Sequence, residues 1–141
     1  MASQEKKTMA LEYKIEPQTG YLRMTCGGQY ESSLNDEITD QVMWACEKYQ
    51  PSKMLIDTLQ VEGQMSTMDR YNLATLSAKK YLDEKLAGKI QSCRFAYVGN
   101  DPMIDPRRFG ETVAVNRGIN LKVFTDMKEA LAWLEAEPAE E

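Results

Sequence analysis

The chain predicts a single α/β domain of element order β-β-α-β-α-β-α-β-α, a mostly parallel sheet with an N-terminal antiparallel hairpin and helices packed on it. Three observations predict it. Two alternating segments, Leu11–Glu16 and Tyr21–Cys26, flank the turn residues Pro17-Gln18-Thr19-Gly20, which is the pattern of a hairpin. The later apolar run Met54-Leu55-Ile56 does not alternate, as expected of a strand buried on both faces of a parallel sheet. Stretches with apolar residues at helical spacing separate the later strands, so each strand returns through a helix and the crossovers are right-handed.

Taken in order, residues 1–10 read as a flexible N-terminus, 11–135 as the domain and 136–141 as an acidic tail. Leu22, Met24 and Cys26 share one side of the second strand, which Gly27-Gly28 ends. Ser33, with Asp36 and Glu37 behind it, is expected to cap a helix running to about Tyr49, whose apolar face is Leu34, Ile38, Val42, Ala45 and Tyr49. Pro51 closes it. The strand Met54–Ile56 is expected to stop on Asp57, and a loop carrying Gly63 leads to a second long helix from about Thr67 to Lys85. Arg94–Val98 is the next strand, broken at Gly99-Asn100-Asp101-Pro102. Asp105-Pro106 introduces a short helix with Phe109, Val113 and Asn116 in register, and Gly118 suits the left-handed position after its end. Leu121–Phe124 is the last strand. Asp126 with Glu129 starts the last helix, whose face is Met127, Ala130, Leu131 and Leu134.

Composition removes several function classes. The 141 residues are 43% hydrophobic and 28% charged, ordinary for one globular core. No apolar run approaches the roughly 18–20 residues that cross a bilayer, and the N-terminus lacks the apolar stretch of a signal peptide, so a cytoplasmic location is expected. The formal net charge of −5 disfavours nucleic acid and anionic membrane surfaces. With no histidine at all, the His-activated nucleophiles and nearly all zinc sites are excluded. Cys26, Cys46 and Cys93 lack C-x-x-C spacing and read as small core residues. The glycine patterns of dinucleotide and P-loop sites are missing too. No enzyme activity, metal or cofactor is expected.

In a parallel α/β sheet, ligands sit beyond the carboxyl ends of the strands. That edge gathers Asp57, Ser66, Thr67, Asn100, Asp101, Arg107 and Arg108 as candidate ligand or anion contacts. Ser66, followed three residues later by Asp69, approaches a capping box. Ser66 and Thr67 therefore fit two roles, a helix cap or a phosphorylation site at a helix N-terminus. Arg107-Arg108 fit an anion site, or a solvated pair answering Asp101 and Asp105. Asp57 fits a polar ligand at the sheet edge, or a strand-end residue bonding the following loop. Leu73 and Leu76 give the second helix extra apolar surface, so a protein partner or a weak homodimer is expected through that flank or the hairpin edge.

The stretches MLIDTLQVEG, FAYVGNDP, RRFGETVAVNRG, LKVFTD and EALAWL, in this element order, resemble the STAS domain superfamily, and more narrowly its SpoIIAA-like branch of stand-alone bacterial proteins. The resemblance spans about Leu11 to Glu135. It implies a non-catalytic regulatory or small-ligand module acting through protein contacts. In anti-sigma-factor antagonists of this kind, a serine at the start of the second long helix is phosphorylated, and Ser66 and Thr67 hold that place. The family's Asp-Ser-Ser-Gly signature is replaced here by Gln64-Met65-Ser66-Thr67-Met68-Asp69. A fold-level likeness to CRAL-TRIO domains implies the alternative, a carrier of an apolar or lipid-like ligand. The nine methionines suit an adaptable apolar pocket and ordinary core filling equally.

Overall fold

In a computed structural model that describes residues 10–100 and 108–135, β1 (Glu12–Gln18) and β2 (Tyr21–Gln29) form the expected antiparallel hairpin, in register Glu12 to Gly27 through Gln18 to Tyr21. The remaining strands, β3 (Lys53–Glu62), β4 (Arg94–Val98) and β5 (Asn120–Phe124), add in parallel, in spatial order β1-β2-β3-β4-β5. The helices are α1 (Asn35–Tyr49), α2 (Thr67–Leu86), α3 (Phe109–Asn116) and α4 (Met127–Glu135).

The strand order explains the layering. From β2 to β5 every crossover steps the same way across the sheet, so right-handed connections deposit α1, α2 and α3 on one face. Their apolar stripes close on Met24, Cys26, Met54, Ile56 and Phe95 in the larger core. Among the described residues, only α4, after the last strand, reaches the other face, where Ala130 and Leu134 pack on Leu55, Ala96, Val98 and Phe124. It covers β3–β5 and leaves the outer surface of the hairpin to charged and polar residues. A sheet that never reverses its strand order also lacks the crevice that a topological switch point opens.

Several boundaries differ from expectation. β1 runs on through Pro17 to Gln18, so the turn is Thr19-Gly20 alone, and β2 is not ended by Gly27-Gly28 but passes through them to Gln29, because both glycines stay paired with β3. β3 does not stop on Asp57 but continues to Glu62. Its pairing with β2 slips between Thr25 and Gly27, and this irregularity lets the polar stretch beyond Asp57 stay in the sheet. Thr58 hydroxyl donates to the Val98 carbonyl at 2.7 Å, which makes a buried hydroxyl tolerable there. At α1, Ser33 is not the cap. A 3₁₀ turn over Ser32–Leu34 leads straight into the helix, and neither serine caps it.

Elsewhere the local reading holds. Gly118 has φ +104° after α3, and Gly63 has φ +111° between β3 and α2, where an added Cβ would meet Gln29 Nε2 at 2.8 Å. Cys26, Cys46 and Cys93 are buried and unpaired by disulfide. Burial, with the charge of Asp57 beside it, raises the Cys26 thiol to about 12. Contact with Cys46, reinforced by burial, raises Cys93 further. Trp133 packs on Phe124 at 5.8 Å, and the Arg94 guanidinium lies 4.2 Å from its ring centre. Leu73 belongs to the core periphery, whereas Leu76 is half-buried.

Candidate functional site

The polar cluster nearest the expected site forms where β2, the 3₁₀ turn and the start of α2 meet. Ser66 is the N-cap of α2, in extended backbone, and the capping box is complete. Its Oγ accepts the Asp69 amide at 3.0 Å, and Asp69 Oδ2 accepts the Ser66 amide at 3.0 Å. The other carboxylate oxygen of Asp69 accepts the Ser32 hydroxyl at 2.7 Å, so the turn entering α1 is tied to the first turn of α2. Asn35 extends this tie: its Nδ2 donates to the Asp69 carbonyl at 3.4 Å, and its Oδ1 accepts the buried Tyr30 hydroxyl at 2.8 Å. Burial, and then the charge of Asp69, push Tyr30 up to about 12. Thr67 is exposed at the first helical position, followed by Met68, 62% exposed. Tyr71, one turn from Thr67, is 39% exposed and carries Arg117 over its ring at 5.9 Å.

Asp69 thus puts a carboxylate at the positive end of α2. The Ser66 amide and the Ser32 hydroxyl lower its pKa below 3.8. A folded-state pKa below the unfolded one gives stability that is full above pH of about 4 and lost as pH falls through the folded pKa. Asp69→Asn, which keeps an oxygen acceptor, should show a shallower decline of stability between about pH 5 and pH 2, measured by urea unfolding. An unchanged acid profile would remove Asp69 from that role.

The other expected contacts do not converge on Ser66. Asp57 corrects the edge expectation: it lies inside β3, on the face away from α1–α3, and is 4% exposed. One oxygen accepts Arg23 Nη2 at 2.7 Å and the other accepts the Leu59 amide at 3.0 Å. Register accounts for the pair, since Arg23 stands opposite Leu55 and Thr25 opposite Asp57, making Arg23 and Asp57 diagonal neighbours. Asn100 donates to the Leu59 carbonyl at 2.9 Å. Arg108 is the left-handed N-cap of α3, with φ 56°, and lies 3.8 Å from Glu111. Asp101 and Arg107 lie outside the described residues.

An apolar cavity is present, and Met43 and Met65 of the methionines that suit a pocket line it. About 120 Å³ of space lies between α1–α3 and the sheet, with an almost wholly apolar lining that includes Val42, Met65, Ala74 and Phe95. Arg70, Arg108 and Glu111 are its charged lining residues. Its position has no local signal, because it lies where three helices fail to close completely on one sheet. Among the described residues, no helix is long and apolar enough to cross a membrane, and no group of acidic residues and cysteines is placed to hold a metal ion.

The overall fold has counterparts among solved structures. It is shared with the crystal structure of an anti-sigma factor antagonist from Mycobacterium paratuberculosis, at TM-score 0.54 and 17% identity over 89% of this chain and 95% of that one. An uncharacterised Shewanella loihica protein with a SpoIIAA-like fold aligns at TM-score 0.47 and 21% identity, over 91% and 96% of the two chains. No family model and no curated protein matches the sequence.

Proposed function

We propose that this chain is a non-catalytic regulatory module that docks a protein partner where the 3₁₀ turn meets the start of α2, with Ser66 as the residue whose modification controls docking. The observation that carries this reading is the pairing of exposed Met68 and Tyr71 with the closed Ser32–Asp69–Ser66 network beside them. An apolar and aromatic pair at the rim of a rigid polar cap suits a protein contact. A phosphate on Ser66 would sit against the Asp69 carboxylate and compete for the groups that join α1's turn to α2. The similarity to an anti-sigma factor antagonist supports a regulatory role. An anion contact at this edge would rest on Arg108, at the start of α3, because Asp69 already occupies the first turn of α2.

A carrier of apolar ligands is the second reading, and the cavity favours it. Its size favours a small apolar ligand over a long lipid, since an engineered cavity of about 150 Å³ holds benzene.

One experiment separates the two. A photo-crosslinking residue replaces Met68, or Lys79 on α2 as a control, in cells of the source organism. A discrete protein adduct from position 68, absent from position 79 and lost on adding Ser66→Asp, is expected. Aspartate is as good an N-cap as serine and suits the helix dipole, so the unfolding free energy should stay within about 1 kcal/mol of wild type. Loss of stability together with loss of a co-purified small molecule would instead establish the carrier.

A further inference from the structure

The two edges of the sheet are finished differently. On the β5 side, Glu111 of α3 reaches over and accepts the Val123 amide at 2.8 Å, which blocks strand addition. The β1 side has no such cover along its centre. A two-residue turn joins Gln18 to Tyr21, so that pair and every second pair before it, Glu16–Arg23, Lys14–Thr25 and Glu12–Gly27, bond to each other. The main-chain groups of Leu11, Tyr13, Ile15 and Pro17 therefore face outward. Leu11 agrees, because its amide is taken by Glu37 Oε2 of α1 at 3.3 Å, and the Tyr13 hydroxyl reaches the same oxygen at 2.9 Å. Among the described residues, no hydrogen bond engages the outward main chain of Tyr13, Ile15 or Pro17.

Glu12, Lys14 and Glu16 stand on the face of β1 opposite the larger core, while Tyr13 and Ile15 pack toward that core. We infer that β1 is the docking edge for a second copy of this chain, paired antiparallel about a two-fold axis at Ile15. The charge row selects both the occupant and the register. Centred on Lys14, a two-fold pairing sets Lys14 against Lys14 and Glu12 against Glu16, which repel. Centred on Ile15, it sets Lys14 of each copy against Glu16 of the other, and Ile15 against Ile15. Tyr13 then donates to the Pro17 carbonyl of the second copy, where the missing proline amide leaves no donor stranded. Centring on Tyr13 also opposes unlike charges, as Lys14 to Glu12, but needs the edge at Leu11 that Glu37 already occupies. Pro17 ends the ladder, so the dimer is small, weak and reversible. It joins two sheets into one continuous sheet and leaves the α2 edge free on both copies.

Sedimentation equilibrium of the full chain, from about 1 µM to about 1 mM, tests this. Wild type shows concentration-dependent dimer. Lys14→Glu makes both cross-strand pairs repulsive and weakens association at least about tenfold. Lys14 and Glu16 also pair within the strand at 3.5 Å, but their side chains are 72% and 44% exposed, so losing that surface pair leaves the fold intact, which circular dichroism checks. Adding Glu16→Lys to Lys14→Glu restores the pairing. Adding Glu12→Lys, with the same net charge, does not. A chain monomeric throughout, a dimer indifferent to Lys14→Glu, or rescue by Glu12→Lys instead of Glu16→Lys would overturn the inference.

Discussion

Leu134→Ala should lower the unfolding free energy by about 2–5 kcal/mol, among the largest effects of any single truncation in this chain. Leu134 is fully buried, and α4 is a helix of nine residues that reaches the sheet through Ala130 and Leu134, aided by the half-buried Met127, Leu131 and Trp133. No other helix covers that face among the described residues, so the void cannot be filled by a neighbouring helix. A domain of this size loses roughly 3–5 °C of melting temperature per kcal/mol, so a fall of about 6–25 °C is expected by circular dichroism. A loss under about 1 kcal/mol would show that α4 is not what seals the second core.

Asp57→Ala should cost about 1–3 kcal/mol and leave partner docking at α2 intact in the folded fraction. Two groups lose their acceptor: the Leu59 amide, at the irregular point of β3, and the Arg23 guanidinium. Breaking a fully buried pair would cost more, about 3–5 kcal/mol, but the Arg23 side chain is 31% exposed and water can replace the carboxylate there. Asp57→Asn keeps an oxygen for Leu59 and should recover part of the loss. Urea unfolding separates the three proteins. If Asp57→Ala keeps its stability and instead loses adduct formation at Met68, Asp57 belongs to the site and not to the sheet.

These two residues show what was legible in the sequence. The face of α4 is written in its own spacing, and Leu134 emerges as core from Met127, Ala130 and Leu131 alone. The hairpin is equally local in its alternation, although its turn is Thr19-Gly20 and Pro17 belongs to the strand. Asp57 is different. A charged residue after three apolar ones reads as the end of a strand, and only the β2–β3 register shows that Arg23 makes burial of that charge tolerable. The same holds for Ser33 at α1: its neighbour Ser32 bonds Asp69, 37 residues away, a link no spacing rule contains. Ser66 was legible because both halves of its capping box lie within four residues. The methionines suited a pocket, but its place was not legible, since it depends on how three helices meet one sheet.

The three cysteines carry a practical consequence. Thiol reagents attack the thiolate, and each native thiol is at most 4% exposed, with Cys26 and Cys93 held well above the ordinary thiol range. The folded chain is therefore silent to maleimides at neutral pH, and a cysteine introduced at the surface labels alone without removal of the native ones. Read the other way, the native thiols form a built-in clock. Their labelling rate in water follows how often the larger core opens to solvent, a quantity that a melting curve leaves unmeasured.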